Sequence, residues 1–319
     1  MRGKITVVGS YNTGFLVYVD RLPVEGETLP GYGFRIEHGG KGSNQAIQAA
    51  RLGCDTAIIA RVGSDMFGDR AVGKWAAENV GGGYVVRDAE KPTGAGLVIV
   101  GPQGRNIIVV DLGANMRLSK NDVEKASSRL SSSDVVLAQL EIPLETALQA
   151  LRSSEAVSIL NPAPAPMINP SQLEGVKIIT PNEVEILTMA GYKPSQSAEI
   201  VRVAERYARY VEHVIVTLGE RGALVVGGGR RIHVKTPQIR AVDSTGAGDA
   251  FNGALAAFLA RGYDLLDAVE MACCAGAFLA ARVKRGELVE ALARAGELEK
   301  FIAEQSHTLG HVGERAASR

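Results

Sequence analysis

One stretch of the chain combines small residues, a carboxylate and a helix start in a pattern that can do chemistry. In AVDSTGAGDAFNGALAAFLARG, residues 241–262, the turn Gly246, Ala247, Gly248 runs into a helical pattern. Unpaired N–H groups and the positive end of the helix dipole then converge on one point. Small side chains let an anion come close to the backbone there. Asp249 falls in the first helical turn, within reach of the same point. A carboxylate beside an anion hole can accept the proton of a hydroxyl that attacks a phosphoryl group, while the N–H groups hold the developing charge. These residues also have a plain structural use: an Asp in a first turn complements the dipole, and Gly-x-Gly is common in loops.

Two further clusters carry polar groups at helix starts. In HGGKGSNQAIQAARLG, residues 38–53, Gly39, Gly40 and Gly42 permit close approach of a ligand, and Lys41 and Asn44 offer donors to a polyhydroxylated or phosphorylated one. In TPNEVEIL, residues 180–187, Asn182 and Glu185 stand three apart as a capping box does. The alternative use of that pair is to organise water around Mg²⁺, an ion that keeps much of its water shell. The two common nucleotide fingerprints are missing: Gly9-Ser10-Tyr11-Asn12 after the first strand is not G-x-G-x-x-G, and Gly14 is followed by Phe15 rather than Lys.

These clusters need a scaffold. Short β-branched runs at 5–8, 56–60, 135–137, 157–160, 177–180 and 214–217 alternate with helical patterns at 42–52, 67–79, 144–153 and 198–210. That rhythm predicts an α/β domain with a mainly parallel sheet and ligands beyond the carboxyl ends of its strands. Residues 15–37 and 93–112 break the rhythm as β-rich stretches without helices, the second with a hairpin signal at Pro102, Gln103 and Gly104. They predict a small inserted antiparallel sheet, which the pattern reads equally well as a lid or as a peripheral hairpin without function, with the α/β core at 1–14, 38–92 and 113–303. Ala-rich residues 253–281 predict two packed helices joined near Gly262, and residues 304–319 read as a polar, frayed tail. His307 and His311 in that tail have no supporting carboxylate or thiol for a metal site.

Composition narrows the classes. The 319 residues hold 35 Lys plus Arg against 35 Asp plus Glu, which argues against a nucleic-acid or membrane surface as partner. Hydrophobic residues make up 46%, enough for a large core. Cys54, Cys273 and Cys274 form neither a disulfide framework nor a zinc spacing and suggest a reducing compartment. No signal peptide or membrane span is read, so a soluble, cytoplasmic protein is expected.

Taken together, GGKGSNQA near the amino end and DSTGAGDAFNGAL near the carboxyl end resemble the ribokinase family of sugar kinases, also called the phosphofructokinase B family. The resemblance extends through GSYN at 9–12, GETLPG at 26–31, AQLEIPLE at 138–145, NPAPA at 161–165, TPNEVE at 180–185 and VTLGERG at 216–222. It implies a three-layer α/β/α core with a β lid, and Mg-ATP-dependent phosphorylation of a small sugar. Asp249 would be the base, and Gly246, Ala247 and Gly248 the anion hole. Asn12, Gly40, Lys41, Asn44 and Glu141 would contact the sugar. Asn182 and Glu185 would organise Mg²⁺ and phosphate, and Thr217, Gly219 and Gly222 would border the nucleotide. Asp243 and Thr245 would stand near a monovalent-cation site, for K⁺.

Two departures qualify what the resemblance implies. An acidic residue is expected two positions after Asn12, where this chain has Gly14; the lost carboxylate removes strong acceptors for sugar hydroxyls. After the Ala-rich helix the chain reads ARVKRGELVEALARAGEL, residues 281–298, in place of the Gly-Ala turn and small polar residue that would complete the cation site. Ribose is the first candidate acceptor. Another sugar, a nucleoside or a sugar phosphate held by Arg35 or Arg105 are the alternatives, and a non-catalytic sugar-binding protein is the reading from another class. The apolar lid runs LVIV and IIVV also suggest a homodimer formed through the lid.

Overall fold

The computed structural model describes residues 2–102, 105–192, 199–282, 288–305, 309 and 311–315. In chain order its strands are β1 (Lys4–Val8), β2 (Asn12–Tyr18), β3 (Tyr32–Gly39), β4 (Asp55–Gly63), β5 (Val80–Asp88), β6 (Gly94–Val100) and β7 (Asn106–Asp111), then β8 (Val135–Gln139), β9 (Val157–Asn161), β10 (Ile178–Ile179), β11 (His213–Thr217), β12 (Ala223–Gly227), β13 (Arg230–Val234) and β14 (His311–Arg315). The helices are α1 (Lys41–Arg51), α2 (Met66–Ala77), α3 (Lys120–Lys125), α4 (Ser127–Ser131), α5 (Leu144–Arg152), α6 (Glu183–Met189), α7 (Ile200–Tyr207), α8 (Ala247–Ala260), α9 (Leu265–Arg282), α10 (Leu288–Ala291) and α11 (Ala295–Gln305).

Ten strands form one sheet in the order β14-β13-β12-β11-β10-β9-β8-β1-β4-β5. From β11 to β5 every pairing is parallel, and β11 to β14 run antiparallel. The strands are apolar on both faces because helices cover both. Along β8, Val135 and Leu137 join a core shared with α1, α2, α8 and α9, while Val136 and Ala138 join a second core with α3 to α7. The result is a three-layer α/β/α domain. Chain order reverses at β1, which lies between β4 and β8; the crevice beyond that switch point is where an open α/β sheet binds its ligands.

A separate four-stranded sheet has the order β3-β2-β6-β7. Its outer pairings are antiparallel, but β2 and β6 at its centre run parallel, so the sheet is mixed rather than the antiparallel one expected from the sequence. The β6–β7 hairpin forms as expected, with Gln103 and Gly104 of its turn outside the described residues. Other expectations also need correcting. The run at 177–180 contributes only Ile178–Ile179. β5, β12 and β13 were not anticipated; β5 holds three consecutive glycines, which have low strand propensity. The stretch predicted as a frayed tail carries β14, paired with β13; His307 lies outside the described residues. No described helix is long and apolar enough to cross a membrane.

An ion pair ties the first core helices to the chain's last segments. Arg51 donates to Glu78 at 2.8 and 2.7 Å and to the carbonyls of Val289 and Leu292 at 2.7 and 2.8 Å. Both side chains are nearly buried, at 6% and 8% exposure. The Arg51 guanidinium, working against burial and helped by Lys74, holds the Glu78 carboxyl down to about 2. A depressed carboxyl adds stability that is complete above its unfolded value of 4.5 and lost as pH falls toward 2. Glu78→Gln, which leaves Arg51 buried and uncompensated, should cost about 2–3 kcal/mol at pH 7. In urea unfolding the gap from the parent protein should narrow at pH 3; a gap that stays constant with pH would contradict the pairing.

Candidate active site

Asp249 sits in the first turn of α8, 7% exposed, and both its oxygens are engaged by amides of α1. Asn44 Nδ2 donates to Oδ2 at 2.8 Å, and Gln45 Nε2 donates to Oδ1 at 3.0 Å. The helices can approach this closely because Gly253 faces α1: a Cβ there would stand 2.6 Å from the Gln45 carbonyl oxygen. Gln45 Nε2 also reaches Asn161 Oδ1 at 3.1 Å, and Gln45 Oε1 accepts from Gln139 Nε2 at 2.7 Å. Asn161 Nδ2 donates to the Thr180 carbonyl at 3.1 Å, Thr180 Oγ1 to Asn252 Oδ1 at 2.6 Å, and Asn252 Nδ2 to the Gly248 carbonyl at 2.8 Å. An amide network therefore runs from the carboxyl ends of β8 and β9 to the first turn of α8, and it fixes the carboxylate's orientation. Sequence reasoning missed Gln45, Gln139, Asn161, Thr180 and Asn252, although all five lie inside stretches it had quoted for other residues.

Gly246 precedes α8 with φ of 78°, a left-handed conformation that favours glycine. Gly246, Gly248 and Asp249 line a cavity of about 180 Å³ together with Lys41, Asn182 and Glu185. A neighbouring cavity of about 450 Å³ is bordered by Thr217, Gly219 and Gly222 on one side and by Phe251, Ala277 and Ala280 on the other. Thr217 and Gly248 line both, so the two spaces adjoin at the start of α8. A volume of several hundred cubic ångströms with a mainly apolar wall suits a nucleobase and ribose. A larger space of about 720 Å³ lies between α7 and the β12–β13 hairpin among arginines and glutamates, and shares no lining residue with the other two.

The charges around the smaller cavity are coupled. Burial opposes the charge on Lys41, but Asp249, Glu141 and Glu185 outweigh it and raise its pKa above the usual lysine value. Burial pushes the Glu185 carboxyl up, against the Asn182 N–H and Lys41, and the Asp249 charge pushes the same way as burial. Asn182 and Glu185 form the capping box of α6 in both directions, each bond 2.8 Å long. The structural use of that pair is thus realised, while Glu185 still lines the cavity. Glu141 follows β8, and its Oε2 accepts from the Lys41 N–H at 2.8 Å and from the Ser10 hydroxyl, so it anchors the start of α1.

The remaining expected residues fall in two places. Asn12 opens β2, and its Oδ1 accepts from Asn115 Nδ2 at 2.9 Å; Asn115 also bonds both backbone groups of Tyr11 and had no sequence signal. Gly40 is the residue before α1, with φ of 92°. Asp243 Oδ1 accepts from the Thr245 N–H at 2.9 Å and hydroxyl at 2.7 Å, which closes a local turn. Of the stretch 281–298, where the chain departs from the expected cation site, residues 283–287 lie outside the described residues. Among the described residues no three His, Cys, Asp or Glu side chains gather to hold an ion by themselves.

A model of the pfkB carbohydrate kinase family matches residues 2–292. The chain belongs to that family. It is an ATP-dependent carbohydrate kinase, which sets aside the non-catalytic alternative. A ribokinase of Haemophilus influenzae is 36% identical over 79% of this chain and 84% of its own. A deoxyribokinase of Salmonella typhi is 33% identical over 86% and 91% respectively. The structure of Arabidopsis thaliana ribokinase complexed with ribose and ATP superposes with a TM-score of 0.83 at 28% identity, covering 95% of this chain and 99% of that one.

Proposed function

We propose that this kinase transfers the γ-phosphoryl group of ATP to a primary hydroxyl of a pentose, ribose first, with Asp249 as the base. The observation that carries the reading is a buried orphan beside that base: Asn44 donates to Asp249 while its own Oδ1 has no hydrogen-bond partner among the described residues. A buried acceptor left open next to a carboxylate calls for a hydroxyl donor. The acceptor hydroxyl gives its proton to Asp249 as its oxygen bonds to phosphorus and the bond to the ADP oxygen breaks. The N–H groups of Gly246 and Gly248 would meet the transferring group, whereas that of Ala247 is donated to the Ser244 carbonyl at 3.1 Å; Lys41 adds positive charge at the same cavity. Asn12, Gly40, Lys41, Asn44 and Glu141 frame the acceptor, and Thr217, Gly219 and Gly222 the nucleotide.

Mg²⁺, an ion that keeps much of its water shell, fits this donor set, and Asn182 and Glu185 would hold it through water. When bound it would neutralise phosphate charge. A coupled ADP assay with D-ribose, 2-deoxy-D-ribose, D-fructose and adenosine should give ribose the highest kcat/KM. A higher value for 2-deoxy-D-ribose would favour the second reading, which Gly14 and the deoxyribokinase relative support. No ADP from any of the four would refute the reading.

The lid sheet bears on assembly. Phe34 and Ile36 of β3, Leu97 of β6 and Ile107 and Val109 of β7 share one face by strand alternation and register, and all five are exposed. A second lid would cover this face. Light scattering should give about twice the 33.6 kDa chain mass, and Val109→Glu should halve it. A monomer at assay concentration would remove the dimer.

A further inference from the structure

Gly14 leaves a gap in the lid that a neighbouring strand fills. In the register of β2 and β3, Asn12 stands opposite Gly39, Gly14 opposite Glu37 and Leu16 opposite Arg35. Residues of the same parity share a face, so Asn12, Gly14 and Glu37 lie together. Contact bears this out: a Cβ built on Gly14 would meet one neighbour only, the Glu37 Cβ at 3.6 Å. Across Gly14 on the other side stands Gly96 of β6, again without a side chain. Glu37 is half-buried and is the diagonal neighbour of Asn12.

Asn12, assigned to the acceptor above, lies on this face, and that assignment sets the face toward the reaction site. On the opposite face, Phe15 packs edge-on against Phe67 of α2, with ring centroids 5.3 Å apart. The carboxyl end of β3 leads through Gly39 and Gly40 into α1, which carries Lys41 and Asn44. α10 packs against β3, and its Leu288 lies over Gly246, where a Cβ would be in collision with it. A carboxylate here has two oxygens for neighbouring hydroxyls, and charge-assisted hydrogen bonds are the strong ones.

We propose that Glu37 is an acceptor-binding residue, its carboxylate set beside Asn12 by the space at Gly14 and receiving hydroxyl hydrogen bonds from the sugar. The inference rests on the kinase reading above and adds to it a residue from β3 that does the work a carboxylate on β2 would do. Arg35, two residues earlier on the same face, supplies a positive charge along that strand.

The test uses the full chain in a coupled ADP assay, with D-ribose and 2-deoxy-D-ribose as acceptors and the one with higher kcat/KM carried forward. Glu37→Ala should raise the acceptor KM at least about 10-fold, the range expected when a charged partner is lost, with the KM for ATP within about two-fold. Glu37→Gln keeps the packing and should raise it less; it carries the test where the alanine variant does not fold. Adding Gly14→Asp to Glu37→Ala should restore the acceptor KM to within about five-fold, because position 14 has room for a side chain. An acceptor KM unchanged in both single variants, or acceptor and ATP KM values rising together without rescue, would overturn the role of Glu37 while leaving the kinase reading intact. Failure of the parent protein to turn over either sugar would overturn both.

Discussion

Asp249→Asn is expected to lower kcat by about 10²–10⁴-fold, the usual worth of a positioned base, while sugar binding stays measurable by calorimetry. The geometry adds a second effect. Asn44 and Gln45 each donate to one oxygen of Asp249. Asparagine offers one acceptor and one donor, so one of those bonds becomes donor against donor. A buried donor without a partner costs about 1–3 kcal/mol, which denaturant unfolding would read. Loss of stability alone cannot lower kcat in the folded fraction by so much. The two measurements therefore separate the base from the structural member of the amide network. Turnover within about ten-fold of the parent protein would assign the proton to another group.

Six strands of the main sheet and the three motifs were legible because each rests on a local signal. Apolar runs bounded by turns predicted six parallel strands, and Gly-Ala-Gly before an apolar helical pattern predicted the start of α8 with Asp249 in its first turn. What was not legible depends on distance along the chain. Nothing local marks Gln45 as the link between Asp249 and Asn161, since that link exists only once β9, α1 and α8 meet. Asn115, which holds Asn12, comes from a segment about a hundred residues later. The missed strands have a similar cause: the glycines of β5 give it a weak strand signal, but pairing with β4 over seven positions outweighs their low propensity. Glu141 shows the reverse case. Its motif pointed to sugar, and its Oε2 is engaged at the start of α1, so its contribution to the acceptor would run through the placement of Lys41 and Asn44.

Gly248→Ala should separate stability from activity by moving them in opposite directions. Gly248 lies in the first turn of α8, and a Cβ there would meet nothing within 4 Å of the protein. Its backbone is not left-handed, unlike that of Gly246. Alanine is a better helix former than glycine by about 0.5–1 kcal/mol, so the variant should be at least as stable as the parent. The protein thus has no steric or conformational need for glycine at this position. Yet Gly248 lines both cavities, at the point where they adjoin. A methyl group there would hold a phosphoryl oxygen away from the N–H groups of the turn, and losing one such donor costs about 10²–10³-fold in kcat. The expected outcome is a variant with an unchanged or raised midpoint of unfolding and a large loss of kcat/KM for ATP. Gly246→Ala provides the contrast, since the left-handed φ and Leu288 should make it lose stability as well. Retention of parental kcat/KM by Gly248→Ala would mean that the transferring group does not pass over the start of α8, and the anion hole would have to be sought elsewhere.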